Sequence, residues 1–265
     1  MDIRLIRSNQ NEQYKRWRKL HRRKGRERYG ALLVEGPHLV AEAMDAGWKV
    51  RACLVEEGKE GLLEEIPGIR EGSFPVYRLP VPLFRSLMDT ETPQGVAAEL
   101  EIPPLGDEEA PPVGETLILL DAVQDPGNLG TILRTAEAAG AAAVFLGKGT
   151  ADPYNSKTVR AAMGSLFRLP VRRVDLASAI LDLRRRGVVV IGTHPRAETL
   201  HFCYEYPPRT AFLLGNEGRG VDPDLERLVD AQVRVPMPGG VESLNVSVTA
   251  AVLLYERLRQ KWGKA

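Results

Sequence analysis

A chain of 265 residues, 43% hydrophobic and with a net charge of +1, has the composition of a soluble globular protein and the length for one large domain or two ordinary ones. Its two cysteines, Cys53 and Cys203, are far apart and each lies in an apolar context, which excludes a disulfide framework or a zinc spacing, suits a reducing cytoplasm, and reads as two buried small hydrophobes rather than a catalytic thiol or any metal site. No apolar run reaches membrane-spanning length and the N-terminus lacks the apolar core of a secretory signal, so no membrane partner is expected.

The near-neutral total conceals an asymmetry. Between Arg4 and Arg28 lie eleven Lys or Arg against only Glu12 and Glu27, whereas Glu99–Glu115 is acidic and rich in proline. So long a one-signed run repels itself unless it meets a partner, which suggests a polyanion. Asn9 to about Lys24 is helix-compatible, with Tyr14, Trp17 and Leu20 as a narrow apolar stripe and basic residues on its other faces. A strand at 31–36 follows. Pro37 then sits where a helix would begin, Leu39, Val40, Ala43 and Met44 give that helix one apolar face, and Gly47 stops it. A strand at 50–57, a short helix near Gly61–Glu65, a strand at Pro75–Leu79, a helix at Pro82–Met88 and a closing strand within 92–103 complete a compact α/β domain, residues 1–103. Residues 104–114 have linker composition, with prolines, glycines and acids and no periodicity.

The remainder, 115–265, repeats strand–helix alternation. Leu117–Leu120 is a short continuous apolar run and reads as a buried strand; Asp121–Gly130 is rich in turn formers; from Thr131 the pattern becomes helical and ends at Gly140. Then come a strand at 142–147, a helix from about Ser156 to Phe167 with Asn155 as N-cap, a short strand at 171–174, a helix at Ala177–Arg186 and a strand at 188–193. A strand at 211–215, a short helix at Pro223–Val229 and a last strand at Val233–Val235 precede a long terminal helix, on which Leu244, Val248, Ala251, Val252, Tyr255 and Leu258 form an apolar stripe. Strands alternating with helices predict a parallel sheet covered on both faces.

Three of these strands run into loops rich in Gly and small polar residues, at 121–134, 215–221 and 236–247. Glycines let a ligand approach the main chain closely. The dinucleotide and triphosphate signatures both fail: 215–220 spaces its glycines as G-x-x-G-x-G, and no G-x-x-x-x-G-K-[ST] occurs. His194 and His201 have no evident catalytic partner. What remains is a set of amides, hydroxyls, one arginine and one carboxylate, suited to a neutral-to-cationic cofactor and to chemistry that needs positioning more than a strong base.

The same residues carry a resemblance. Asn128, Gly130 and Arg134 match N-x-G-x-x-x-R; Gly215, Asn216, Glu217 and Gly220 match G-N-E-x-x-G; and Pro236 to Ser247 match P-M-x-G-x-x-x-S-L-N-V-S. In this order and spacing they resemble the three motifs of the SpoU (TrmH-like) branch of the SPOUT RNA ribose methyltransferases, over about residues 115–262. Residues 30–100 resemble the accessory RNA-binding domain, similar to a small ribosomal-protein fold, that precedes it in many members. The resemblance implies S-adenosylmethionine as methyl donor, an RNA ribose 2′-hydroxyl as acceptor, a homodimer, and a deep trefoil knot that general topology rules would not anticipate. It also implies that Thr193, Gly215, Asn216, Val235, Met237 and Leu244 hold the cofactor and that Asn128, Arg134, Glu217, Ser243 and Asn245 form the catalytic set; the basic N-terminal run, with an RNA as its polyanion, places Arg16, Arg18, Arg22, Arg23 and Arg26 against RNA. Ribosomal RNA is the expected substrate because of the accessory domain; transfer RNA and a non-catalytic ribosome-assembly role are the alternatives. Ser243 also reads as an N-cap of the last helix, and Glu217 as a capping carboxylate. Family proposals make the arginine a base, but an arginine stays protonated in almost any protein environment, so Arg134 is read as an electrostatic and positional group.

Overall fold

The computed structural model describes residues 3–103 and 115–263, so the expected linker lies outside the described residues. In chain order the elements are β1 (Ile3–Leu5), α1 (Glu12–Leu20), α2 (Arg23–Tyr29), β2 (Ala31–Glu35), α3 (Pro37–Asp45), β3 (Val50–Glu56), β4 (Val76–Leu79), α4 (Val81–Leu87) and β5 (Val96–Glu101). They continue with β6 (Thr116–Leu120), α5 (Pro126–Ala138), β7 (Ala143–Leu146), α6 (Ser156–Ala162), β8 (Val171–Arg173), α7 (Leu176–Arg185), β9 (Val189–Thr193), β10 (Thr210–Leu214), α8 (Pro223–Glu226), β11 (Ala231–Val233) and α9 (Val246–Trp262). The chain forms two compact units, Met1–Pro104 with Tyr154–Arg160, and Leu105–Pro153 with Ala161–Ala265.

In the first unit a mixed sheet runs β1-β4-β3-β5-β2, with β5 antiparallel to both its neighbours. Tyr14, Trp17 and Leu20 of α1 are buried against Leu54, Leu79, Phe84 and Leu87. Trp17 alone removes a large ring from water, which makes this stripe the main anchor of the helix. A second anchor is polar. Glu99 of β5, fully buried, accepts from Trp17 Nε1 at 2.8 Å and Gln13 Nε2 at 3.3 Å and pairs with Arg16.

The basic segment expected as one helix is two. The break at His21–Arg22 lets α2 fold back so closely that a Cβ on Gly25 would lie 1.8 Å from the Lys19 carbonyl oxygen. Arg26 is 4% exposed and donates to the carbonyls of Leu20 and His21, so it caps the end of α1 from inside. That corrects its place among surface RNA contacts: a guanidinium buried beside a helix end is engaged by the orphan carbonyls there. Arg16 is likewise occupied by Glu99, whereas Arg18, Arg22 and Arg23 are exposed.

In the second unit all six strands are parallel, in the order β11-β9-β10-β6-β7-β8. β6 and β10 are buried at every position, which is why they read as unbroken apolar runs. Leu176, Ile180 and Leu183 of α7 cover one face. The chain builds β7 and β8 on one side of β6, then β9 and β10 on the other, and α9 returns to pack on α5. This return fits the threaded C-terminal segment that the family resemblance implies. The parallel register puts the loops after β6, β9, β10 and β11 on one edge of the sheet, with a topological switch point between β6 and β10, the place where open α/β sheets bind ligands.

Three expectations need correction. The helix expected from Thr131 starts five residues earlier, at Pro126, because Asp125 accepts from Asn128 N at 2.9 Å and Pro126 is preset for the first turn. Burial of Leu129, Ile132 and Leu133 outweighs the cost of Gly127 and Gly130 inside a helix, about 1 kcal/mol each. On α9 the buried face is Val246, Ala250, Leu253 and Leu254; of the stripe read from the sequence, Ala251, Val252 and Leu258 are half-buried and Val248 and Tyr255 are turned outward, 46% and 51% exposed. A helix apolar on two faces does not reveal by periodicity which one meets its own sheet. Cys203 is exposed rather than buried, since it lies in the turns after β9; Cys53 is buried, and burial pushes its thiol up to about 12.

Candidate active site

The loop after β10 is a tight closed turn. Asn216 and Gly220 exchange two backbone hydrogen bonds, at 2.9 and 3.0 Å, and a Cβ on Gly215 would fall 2.2 Å from the Gly220 carbonyl carbon. Only glycine fits there, which explains the G-N-E-x-x-G spacing. The Asn216 side chain is wholly engaged within the loops: Nδ2 donates to the Ala122 carbonyl at 2.8 Å, and Oδ1 accepts from the amides of Gly218 and Arg219.

The turn lifts Glu217 over the N-terminus of α5. Its carboxylate accepts from the amides of Gln124 and Asp125, both at 3.2 Å, and from Asn128 Nδ2 at 3.1 Å. Desolvation pushes its pKa up, but the bonds from Asn128 and from the backbone amides outweigh it and hold the carboxyl below the ordinary carboxylate range. The positive end of α5 acts in the same sense.

From Glu217 a one-way relay reaches the third loop. A carboxylate can only accept, so Asn128 turns its amide nitrogen to Glu217 and its oxygen outward, where Asn245 Nδ2 donates to it at 2.9 Å. Asn245 then presents its own oxygen to Ser247 N at 2.8 Å and Ser247 Oγ at 2.6 Å and caps α9. The N-cap expected at Ser243 is therefore Asn245. Each amide has its orientation fixed by the next, and the three motifs meet in one hydrogen-bonded chain.

The remaining expected residues are distributed around it. Arg134, two turns along α5, is exposed and has no hydrogen bond or ion pair among the described residues; Ser243 is exposed and equally unbonded. Thr193 ends β9, with its hydroxyl 3.5 Å from the Leu213 carbonyl oxygen. Val235 and Met237 are half-buried and Leu244 is 36% exposed. Within the loop from Val235 to Leu244, Gly240 N to Met237 O is the one backbone bond among the described residues, which leaves the amides of Met237 and Leu244 uncommitted. Its only charged residue is Glu242. Free peptide groups, apolar side chains and no cation fit a ligand with a neutral purine edge and a positive sulfonium. Asp121 and Ala122, which the motifs leave out, also belong here. Asp121 accepts from Asp222 N at 2.8 Å, and Ala122 takes φ +52°, a left-handed conformation unusual for alanine.

Among the described residues no helix is long and apolar enough to cross a membrane, and no group of three His, Cys, Asp or Glu side chains is placed to hold a metal.

Residues 115–255 match the model of the SpoU rRNA Methylase family, and residues 11–98 match the MRM3-like substrate binding domain. The chain is 42% identical to the 23S rRNA (guanosine(2553)-2'-O)-methyltransferase RlmP of Bacillus subtilis (strain 168), over 96% of this chain and 98% of that one. It is 32% identical to the 23S rRNA (uridine(2479)-2'-O)-methyltransferase of Streptomyces viridochromogenes, over 96% of this chain and 92% of that one. Among solved structures, the AdoMet-bound rRNA methyltransferase from Sinorhizobium meliloti superposes with a TM-score of 0.86 at 32% identity, covering 98% of each chain.

Proposed function

The chain belongs to the SpoU rRNA Methylase family, and from that premise we propose how its residues perform the reaction. It is a methyltransferase that moves a methyl group from S-adenosylmethionine to a ribose 2′-hydroxyl of ribosomal RNA. The observation that carries the site reading is the relay Glu217–Asn128–Asn245, which joins residues of all three motifs at the switch-point edge.

Bound S-adenosylmethionine supplies a methyl group on a sulfonium, already a good leaving group. The protein's task is then alignment. The loops after β9, β10 and β11, with Thr193, Gly215, Val235, Met237 and Leu244, bind the donor through peptide groups and apolar contacts. Asn128, Asn245 and Glu217 orient the acceptor ribose, and fixing the hydroxyl oxygen in line behind the methyl supplies most of the acceleration. Glu217, held ionised by its donors, is a weak base; it accepts a hydrogen bond from the ribose rather than removing its proton at the outset. The 2′-hydroxyl proton, made acidic as the oxygen gains the methyl and the C–S bond breaks to leave a neutral thioether, would pass to water beside Glu217. Arg134, a permanent cation with a planar fork, binds an RNA phosphate or the developing negative charge. Ser243, an exposed residue of the third loop, completes the set.

The exposed basic side chains Arg18, Arg22 and Arg23 form an RNA-binding surface on the first unit. The outward apolar side chains of α9, Val248 and Tyr255, support association of two copies into a homodimer. A ribosomal RNA substrate and two unpaired cysteines support a cytoplasmic place of action.

Titration calorimetry with S-adenosylmethionine, followed by transfer of labelled methyl to an unmodified large-subunit ribosomal RNA transcript, tests the reading. Micromolar donor binding with ribose methylation is expected. Donor binding without transfer to any ribosomal or transfer RNA would favour the non-catalytic role.

A further inference from the structure

The loop that carries Glu217 is gripped at both ends by one residue outside the three motifs. Asp121 is the first residue after β6. Its own N–H donates to the carbonyl of Leu214 at 2.8 Å, immediately before the loop begins at Gly215. Its carboxylate Oδ2 accepts from the amide of Asp222 at 2.8 Å, immediately after the loop closes at Val221. Between these grips Asn216 holds the Ala122 carbonyl, and Glu217 accepts from Gln124 and Asp125. We propose that Asp121 is a positioning residue for methyl transfer, acting through the Gly215–Val221 loop to hold Glu217 in register with Asn128.

Two further observations favour this role. Ala122 keeps a left-handed backbone without being glycine, a conformation that persists only where the surroundings over-determine it; Asp121 fixes one side of it and Asn216 the other. The carboxylate is also kept where it is electrostatically unwelcome. Burial raises its pKa and the Asp222 carboxylate adds to that, opposed by the Asp222 amide and by Arg219. The hydrogen bond that holds the carboxylate in that setting is the one from the Asp222 amide. The bond needs an acceptor oxygen at that point, not a charge.

The proposal rests on Glu217 belonging to the acceptor site. The experiment measures single-turnover methylation of an unmodified large-subunit ribosomal RNA transcript, at saturating donor and RNA, for Asp121→Ala, Asp121→Asn, Glu217→Gln and the Asp121→Ala/Glu217→Gln pair. A displacement of about 1 Å at a reacting centre costs roughly 100-fold in rate, so Asp121→Ala should approach that loss while donor affinity changes little. Asp121→Asn, which keeps an acceptor oxygen, should stay close to the parent. In the Glu217→Gln background Asp121→Ala should add almost nothing, because Asp121 acts only through the Glu217 carboxylate that this background has already lost. Amide hydrogen exchange should quicken at 121–125 and 215–222 in Asp121→Ala and stay unchanged in β6 and β10. Losses that multiply in the double variant, or a parent-like rate for Asp121→Ala beside an impaired Glu217→Gln, would overturn the proposal and leave the site reading standing. A parent-like rate for Glu217→Gln would instead remove the site reading and the proposal with it. Should Asp121→Ala fail to fold, Asp121→Ser takes its place under the same criteria.

Discussion

Glu99 and Glu217 each collect several hydrogen-bond donors, one in each unit, and they do so in opposite settings. Glu99 is fully buried, and its donors are side chains: Trp17, Gln13 and Arg16 from one helix, with Arg51 at 4.0 Å from the neighbouring strand. Glu217 stands on an exposed loop, and its donors are two backbone amides and one asparagine that leads on to a third loop. The first arrangement sews a helix to a sheet. The second holds three loops in register at a sheet edge while leaving the carboxylate accessible. The number of bonds does not separate them; accessibility and the identity of the donors do.

The largest effect is expected at Glu99. Glu99→Ala leaves the fully buried Trp17 Nε1 and the half-buried Arg16 guanidinium without their acceptor, and breaking a largely buried pair from one side typically costs about 3–5 kcal/mol. Denaturant unfolding should show that loss, with donor affinity per folded molecule unchanged. A parallel fall in donor affinity would erase the distinction between the two carboxylates.

Arg134 tests the other side, since no partner in the fold depends on it among the described residues. Arg134→Ala and Arg134→Lys should melt like the parent and lose about two to three orders of magnitude in single-turnover rate, about 3–4 kcal/mol. Lysine cannot reproduce the planar fork, so its defect should persist from about pH 7 to pH 10. Recovery of Arg134→Lys on the alkaline side would instead mark position 134 as the proton acceptor.

A smaller effect is expected from the exposed basic residues. Replacing Arg18, Arg22 and Arg23 by glutamine should flatten the salt dependence of RNA binding by roughly 0.7–0.9 log units for each phosphate no longer neutralised. Glutamine at Arg26 should act differently, lowering stability rather than the slope. Equal slopes for the triple variant and the parent would return this surface to solvent.

The smallest effect is in the acid limb of stability. Glu217 has a folded pKa below its unfolded value, so its contribution is complete above the unfolded value and is lost as pH falls through the folded one. Glu217→Gln should remove that acid-side loss and leave the neutral range nearly flat. The group is largely solvated, so the change is modest. A steeper acid limb in Glu217→Gln would contradict the sign.

How much of the fold and the site is legible in the residues follows from the range of the interactions involved. Unbroken apolar runs mark β6 and β10, alternation with helices marks the parallel sheet, and Tyr14, Trp17 and Leu20 mark the buried face of α1, because each is a pattern among near neighbours in the chain. The three motifs are legible for the same reason, and with them the family, the donor and the acceptor class. Capping chemistry is local too, although the glycines after Pro126 disguise the start of α5 as a turn.

What the residues by themselves determined was therefore which segments become strands, helices and functional loops. Only the tertiary structure decided how the polar groups are used. Asn128 finds Glu217 at a separation of 89 residues and Asn245 at 117; Asp121 finds Asp222 at 101. It also turned Arg26 inward, left Cys203 exposed, moved the cap of α9 to Asn245 and chose which of two apolar faces of that helix meets the sheet. The physical reason is common to all of these. A hydrogen bond or a buried contact is decided by which surfaces meet, and at separations of about a hundred residues the meeting is fixed by the sheet order, which no local pattern encodes.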